Sequence, residues 1–189
     1  ERCALKREQA RSPQELYRPA PLRHAMTEAI RIERERGLLT LRLNRPDKKN
    51  ALTRAMYSAL AAALKQADED PDIYAVLLTG SHECFTAGND IADFIQQPPS
   101  ELDSPVFHFM LNLLECRKPV IAGVAGAAVG IGTTLLLHCD LVYVSAEARL
   151  RMPFVNLGLC PEFGSSLILP RLLGHAKAAE LLLLGERFS

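Results

Sequence analysis

The chain has 189 residues, 48% of them hydrophobic, and its 22 basic residues balance its 22 acidic residues. A chain of this length buries one sizeable core, so we expect one folded domain; without a block of basic residues, we expect no nucleic-acid partner. No stretch approaches the ~20 consecutive apolar residues of a membrane-spanning helix, so we expect no membrane insertion.

The five cysteines are widely spaced, odd in number and without the spacing of a zinc finger or a redox pair. This pattern predicts reduced thiols that pack as small apolar residues, in a compartment such as the cytoplasm. We expect no metal site.

The first elements of the chain follow from polarity and alternation. Residues 1–25 are polar, carry charges of both signs and lack the apolar centre of a signal peptide. We therefore expect a flexible leader, followed by a core domain over residues 26–189. Apolar residues then alternate with polar ones over residues 30–32 and 39–43, on either side of a turn, which predicts a β-hairpin.

Helices and strands alternate along the rest of the chain. The loop NRPDKKNA leads into a predicted helix over residues 51–67, with Asn50 as its expected N-cap. Apolar runs at residues 75–79 and 120–124 predict buried strands, and residues 96–105 predict a mobile loop. Further predicted elements are a helix at 106–115, helical residues 132–138, strands within DLVYVS and ARLRM, a short helical stretch opening at Pro161-Glu162, and a helix at 175–184. This order predicts an α/β fold with helices covering the sheets.

Each of the two buried strands feeds a turn rich in glycine and small residues, FTAGNDI at 85–91 and GAAVGIG at 126–132. Glycine lets a ligand approach the backbone closely, and N–H groups at the start of a helix have no internal partner. Two such turns side by side could aim two N–H donors at one oxygen, which is an oxyanion hole. Tight helix–sheet packing is the alternative explanation for the glycines. The sequence has neither a dinucleotide fingerprint nor a P-loop.

The motifs NRPDKKNAL, FTAGNDI and KPVIAGVAGAAVGIGTTLLLHCDLVYVSAEARLRMPFVNLG resemble, in order and spacing, the crotonase family, also called the enoyl-CoA hydratase/isomerase superfamily. The resemblance runs from about residue 28 to the end of the chain. It implies a crotonase-like spiral of strand–strand–helix repeats, a homotrimer or dimer of trimers, and an acyl-CoA thioester as substrate. It implies no separate cofactor, because coenzyme A is part of the substrate.

The resemblance also assigns site residues. The backbone N–H groups of Asn89 and Ile131 would hold the enolate oxygen of the thioester. The residues implied to bind the rest of the substrate are Ala87, Gly88, Asn89, Asp90, Ile91 and Gly130. Lys48 and Lys49 are candidates for contacts with the coenzyme A phosphates, although exposed loop lysines are commonly only solvated. Structural roles are predicted for Asp90, as an acceptor of loop amides, and for Asp140. Surface or packing roles are predicted for His82, His108 and His138.

The positions of glutamate residues in the family motifs indicate which reaction the resemblance implies. Hydratases of the family place glutamates at two positions where this chain has Thr134 and Phe154. Glu162, in LGLCPEFGSS, instead matches the single carboxylate of peroxisomal-type Δ3,Δ2-enoyl-CoA isomerases. We expect it to carry a proton from C2 to C4 of a 3-enoyl-CoA, with a pKa raised by Phe154, Leu157 and Phe163. Spacing alone favours a solvated glutamate in the first turn of a helix, and the family resemblance reverses that preference.

Two other functions stay open: an enzyme resembling enoyl-CoA hydratase, and a non-catalytic crotonase-like module that binds acyl-CoA or a protein. The missing carboxylates argue against the hydratase, and the presence of Glu162 argues against the non-catalytic module.

Family members usually continue beyond the position of Ser189, so we expect a core domain without the usual C-terminal helices. The cytoplasm is the expected location, with peroxisomes or mitochondria as the alternative in a eukaryote.

Overall fold

The computed structural model describes residues 28–96 and 103–189. The leader predicted at residues 1–25 lies outside the described residues, as does most of the loop predicted at 96–105. Strands and helices alternate through the described part in the α/β arrangement that the sequence predicts.

A five-stranded sheet forms one layer of the fold. Its strands are β1 Ile30–Glu35, β2 Leu38–Leu43, β3 Ala75–Thr79, β5 Val120–Val124 and β7 Leu141–Val144. The predicted hairpin is present, because β1 pairs antiparallel with β2 around a turn in which Arg36 and Gly37 have φ values of 48° and 82°. The other strands run parallel to β2, in the order β1-β2-β3-β5-β7.

A second sheet consists of shorter strands. These are β4 Cys84–Thr86, β6 Ala127–Val129, β8 Arg149–Arg151 and β9 Arg187–Phe188, paired in the order β4-β6-β8-β9. The prediction that β3 and β5 feed the two Gly-rich turns directly is wrong. β4 takes up the first residues of FTAGNDI and β6 lies within GAAVGIG, so the rest of each turn leaves from the second sheet. A strand of three residues is too short to show a readable alternation, which is why the sequence did not predict these two.

The helices complete three strand–strand–helix repeats. They are α1 Arg54–Glu69, α2 Ile91–Gln96, α3 Pro105–Glu115, α4 Ile131–Thr134, α5 Ser165–Leu173 and α6 His175–Ala179. Short 3-10 turns lie at Pro46–Lys48, Leu135–His138 and Val155–Leu157, and a π turn at Glu180–Leu184 continues α6. The repeats are β3-β4-α2-α3, β5-β6-α4 and β7-β8-α5. Within the described residues, no helix is long and apolar enough to cross a membrane.

The cap of α1 differs from the prediction. Thr53, and not Asn50, is the N-cap, since its side chain accepts a hydrogen bond from the N–H of Met56. Asn50 is buried with φ 54°, and its Nδ2 donates to the carbonyl oxygen of Cys84 at 2.9 Å. Its Oδ1 accepts from the N–H of Arg45 at 2.8 Å. Asn50 therefore ties the loop before α1 to β4.

The main core lies between the first sheet, α1 and α3. The alanine-rich face of α1 allows close packing, and the rings of Tyr57 and Phe109 meet there with centroids 5.6 Å apart. Burial of these apolar side chains is the main stabilising contribution. A smaller cluster joins α5 and α6 to the residues after β8; it consists of Met152, Phe154, Leu169, Ala178, Leu181 and Leu182.

The four described cysteines carry free thiols. Burial raises the pKa of Cys84 and Cys116, and raises that of Cys139 to about 12, so these three thiols stay protonated. Cys160 is exposed, so the prediction that each cysteine packs as a small apolar residue is wrong at this position.

Candidate active site

The two Gly-rich turns lie side by side at one edge of the second sheet. β4 and β6 are parallel neighbours, with Cys84 paired to Ala127 and Thr86 paired to Ala128. The carboxyl ends of parallel strands lie at the same edge, where open α/β sheets commonly bind ligands. The structure therefore places the turns after Thr86 and Val129 next to each other.

Glycines bring these two turns into close contact. Gly88 has φ +92°, and a Cβ added there would lie 2.9 Å from the carbonyl oxygen of Val129. A Cβ added at Gly132 would lie 2.4 Å from Cγ2 of Thr86. Both distances are too short for any residue but glycine, so packing between the turns is one reason for these glycines. The packing also sets the relative position of the N–H groups that follow Gly88 and Gly130.

Asn89 and Ile131 each offer a backbone N–H to this edge. Leu52 brackets Asn89: its N–H donates to Gly88 O at 2.8 Å, and its carbonyl accepts from the N–H of Asp90 at 2.9 Å. Because neighbouring N–H groups of an extended chain point to opposite sides, the N–H of Asn89 faces away from Leu52.

Ile131 begins α4, where first-turn N–H groups lack an internal acceptor. Among residues 28–96 and 103–189, neither Asn89 N nor Ile131 N has a hydrogen-bond acceptor. A Cβ added at Gly130 would meet nothing within 4 Å, so there is open space beside this turn. Two unpaired N–H groups on adjacent turns, beside open space, can donate together to one oxygen, as an oxyanion hole requires.

Glu162 lies before α5 and not in its first turn. The N-cap of that helix is Gly164, and the Glu162 carbonyl accepts hydrogen bonds from N–H and Oγ of Ser165, at 3.1 and 2.7 Å. The expected helical stretch opening at Pro161-Glu162 is therefore wrong by several residues, and so is the alternative of a first-turn glutamate. Burial raises the pKa of the Glu162 carboxyl to about 7, as the sequence predicts. At neutral pH this carboxyl can both accept and return a proton.

The segment that carries Glu162 is fixed by its neighbour Phe163. The carbonyl of Phe163 accepts a hydrogen bond from Nε2 of His138 at 2.8 Å, and the two rings stack with centroids 3.8 Å apart. His138 ends the 3-10 turn that continues α4, so this contact joins Glu162 to the helix of Ile131. Burial, and then the charge of Glu162, raise the pKa of Tyr57 on α1. Leu157, expected to cover Glu162, is itself exposed.

Asp90 has a structural role, as the sequence predicts. Its Oδ1 accepts hydrogen bonds from the N–H groups of Ala92 and Asp93, at 3.1 and 3.2 Å, at the start of α2. Its Oδ2 lies 2.7 Å from Nη1 of Arg45, and this contact lowers the pKa of Asp90. An acid that stays ionised and is held by these contacts is poorly suited to shuttle protons.

The positions of the hydratase glutamates hold no carboxylate. Thr134 is fully buried, and its Oγ1 has no hydrogen-bond partner among the described residues. Phe154 is 5% exposed and belongs to the smaller core cluster. Neither side chain can transfer a proton to or from a substrate at neutral pH.

The other predicted substrate-binding residues lie around the first turn. The N–H of Ala87 donates to the carbonyl of Lys49 at 2.9 Å, which places the loop of Lys48 and Lys49 beside it. Both lysines are exposed, and Ile91 is 66% exposed at the start of α2.

Other side chains were predicted less well. Nε2 of His108 lies 3.1 Å from Oδ1 of Asp103, an ion-pair contact that the sequence did not indicate. Asp140 accepts a hydrogen bond from the N–H of Val120 at 2.7 Å, in agreement with a structural role.

The sequence did not indicate a role for Tyr57, whose hydroxyl donates to Oδ1 of Asn89 at 2.5 Å. No local pattern indicates a contact between residues on α1 and on the turn after β4; only an unusual tyrosine within an alanine-rich helix face was visible.

Comparisons with known proteins agree with this arrangement. The family model for Enoyl-CoA hydratase/isomerase matches residues 33–189. The 1,2-epoxyphenylacetyl-CoA isomerase of Escherichia coli (strain K12) is 39% identical over 171 residues, which cover 87% of this chain and 65% of that protein. Enoyl-CoA delta isomerase 2 of Homo sapiens is 37% identical over 169 residues, which cover 86% of this chain and 43% of that protein.

Solved structures show the same fold. Pseudomonas aeruginosa OdaA superposes with a TM-score of 0.84 and 71% identity, covering 86% of this chain and 66% of that one. A putative enoyl-CoA hydratase/carnithine racemase from Magnetospirillum magneticum AMB-1 superposes with a TM-score of 0.83 and 48% identity. The match covers 87% of this chain and 65% of that one. The chain spans less than two thirds of the length of the relatives named above. The chain belongs to the enoyl-CoA hydratase/isomerase family and has the crotonase fold.

Proposed function

We propose that this protein shifts the double bond of a 3-enoyl-CoA to position 2, with Glu162 as the only acid/base group. The proposal is supported by one observation: the half-buried carboxyl of Glu162 has a pKa of about 7, whereas Thr134 and Phe154 offer no carboxylate. Water addition in the family needs those two carboxylates, whereas a 1,3 proton shift needs one group that both accepts and donates. Coenzyme A is part of the substrate in this reaction, and no further cofactor takes part.

The proposed reaction has two proton transfers. The Glu162 carboxylate removes a proton from C2, and the electron pair moves through the C2–C1 bond to the thioester oxygen. The N–H groups of Asn89 and Ile131 bind the resulting dienolate oxygen; removing one donor of such a hole costs about 2.7–4 kcal/mol. Protonated Glu162 then returns the proton to C4 as the enolate collapses, which leaves the double bond between C2 and C3 in conjugation with the thioester.

The test follows the absorbance of the conjugated enoyl thioester after mixing the protein with a 3-enoyl-CoA. We expect turnover by the wild type and its loss in Glu162→Gln, and unchanged turnover in Glu147→Gln, which removes an exposed carboxyl. Formation of a 3-hydroxyacyl-CoA from a 2-enoyl-CoA at a comparable rate would instead favour the hydratase. Binding of acyl-CoA without any turnover would favour a non-catalytic module.

The name of the Escherichia coli relative supplies a second substrate to test. That protein acts on 1,2-epoxyphenylacetyl-CoA and is 39% identical to this chain. Both substrates are coenzyme A thioesters, and an oxyanion hole would serve either one. Ring opening of the epoxide without turnover of 3-enoyl-CoA would move the proposal from double-bond isomerisation to epoxide isomerisation.

We further propose that the protein assembles as a homotrimer or a dimer of trimers. The support comes from large apolar side chains that are exposed on β7 and α5: Leu141, Val142, Tyr143, Val144, Leu167, Leu172 and Leu173. Exposed apolar surface of this kind commonly marks an interface between proteins. Sedimentation velocity would give the mass of the assembly, and a monomer at micromolar concentration would refute the proposal.

A further inference from the structure

Tyr57 joins the main core to the candidate oxyanion hole. It lies on α1, is 2% exposed, and packs its ring against Phe109. A buried tyrosine hydroxyl needs a hydrogen-bond partner. The partner is Oδ1 of Asn89, at 2.5 Å, which belongs to the residue whose backbone N–H is unpaired in the site.

The backbone around Asn89 is held on one side by Leu52. Gly88, with φ +92°, precedes it, and glycine allows the backbone more conformations than other residues do. The N–H of Leu52 donates to Gly88 O, which lies on the opposite side of the planar Gly88–Asn89 peptide from the Asn89 N–H, so Leu52 holds this peptide from one side. Within the described residues, the contact with Tyr57 is the hydrogen bond that holds the Asn89 side chain. Because N–H···O bonds weaken steeply when the angle falls, small rotations of this peptide would weaken oxyanion binding.

The hydroxyl of Tyr57 is suited to be a permanent donor. Burial raises its pKa well above the ordinary value, and the charge of Glu162 raises it further. The hydroxyl therefore keeps its proton while the nearby carboxyl of Glu162 changes its charge. A proton donor that does not titrate holds Asn89 in the same way in both proton-transfer steps.

We propose that Tyr57 is a positioning residue: its hydrogen bond to the Asn89 side chain, together with the bond from Leu52 to Gly88 O, holds the Asn89 N–H in the orientation that binds the thioester oxygen. This inference rests on the proposed function of the site as one that polarises a thioester carbonyl. It assigns no proton transfer to Tyr57. It predicts that the hydroxyl of Tyr57 and the side chain of Asn89 act as one unit.

Kinetics of single and double variants test this unit. Tyr57→Phe keeps the ring and removes only the hydroxyl, and we expect it to lower kcat about 10- to 100-fold with a KM change of about twofold or less. We expect Asn89→Ala to lower kcat to a similar degree, and the double variant to be no worse than Asn89→Ala. Tyr74→Phe is the matched control, since Tyr74 is 69% exposed, and it should leave kcat unchanged. Losses that multiply in the double variant would overturn the inference.

The carbonyl band of a bound, unreactive thioester provides a readout that needs no turnover. Hexanoyl-CoA labelled with ¹³C at C1 should show a lower C=O stretching frequency when bound to the wild type, because N–H donors polarise the carbonyl. We expect Tyr57→Phe to lose most of that shift, and Tyr74→Phe to keep it. If the wild type does not isomerise 3-enoyl-CoA but shows this pattern, the proposed function fails and the role of Tyr57 stands. Equal shifts in the wild type and Tyr57→Phe, or no shift in the wild type, would overturn the role of Tyr57.

Discussion

The raised pKa of Glu162 has consequences for activity and for stability, and the substitution Glu162→Gln separates them. Burial raises the pKa of this carboxyl from 4.5 to about 7 in the folded protein. The proposed base must be ionised to accept a proton from C2. We therefore expect kcat/KM of the wild type to rise about tenfold between pH 6 and pH 8, as the ionised fraction rises from about one tenth to nine tenths. A carboxyl with an ordinary pKa would give almost no change over this range.

The same pKa change opposes folding as the pH rises. Between the ordinary pKa of 4.5 and about 7, the unfolded chain has released the Glu162 proton while the folded protein still holds it. Stability must therefore fall across this interval, because the unfolded state binds fewer protons than the native state. The full effect is on the order of 3 kcal/mol above pH 7. Glutamine cannot ionise, so Glu162→Gln should be more stable than the wild type at pH 8 and nearly equal to it at pH 4.

Two assays check this prediction on the same proteins. Initial rates with a 3-enoyl-CoA give the pH profile, and we expect Glu162→Gln to lose about 10²- to 10⁴-fold in turnover. Urea denaturation at pH 4, 6 and 8 gives the free energy of unfolding, with Glu147→Gln as the control at an exposed carboxyl. A flat pH–rate profile in the wild type, near-normal turnover in Glu162→Gln, or a stability gain independent of pH would refute the reasoning.

Three further substitutions test the surroundings of the site. Thr134→Val should stabilise the protein by about 1–3 kcal/mol in urea denaturation, since it removes a buried hydroxyl without a partner; a loss of stability would indicate an unseen partner. Gly88→Ala should lower turnover about 100-fold by pushing the two turns apart, whereas Gly158→Ala, also at positive φ but in open space, should cost only about 1–2 kcal/mol of stability. Equal loss of turnover in both glycine variants would contradict this reason. Asp90→Asn should cost about 1–2 kcal/mol at pH 7 by removing a charged hydrogen bond to Arg45. Because that bond lowers the pKa of Asp90, the difference should vanish as the pH falls through this lowered pKa, and urea denaturation between pH 2 and 7 would show whether it does.

The sequence by itself determined the elements whose signal is local. Alternation over residues 30–32 and 39–43 predicted the hairpin, and the apolar runs at 75–79 and 120–124 predicted β3 and β5. Such patterns report which side of an element is buried, and this depends on the period of the backbone and not on the partner. The motifs also predicted the family, which the comparisons confirm.

Only the tertiary structure decided how the site is assembled. The three-residue strands β4 and β6 form because they pair with each other, and their pairing places the turns of Asn89 and Ile131 side by side. The packing reason for glycine at position 88 is visible only in the structure, where an added Cβ would lie against the carbonyl oxygen of Val129. Val129 is 41 positions away in the chain. Local periodicity carries no information about such distant partners, since they are set by how the sheets and helices pack. For the same reason, the hydrogen bond between Tyr57 and Asn89 could not be predicted from the residues around either one.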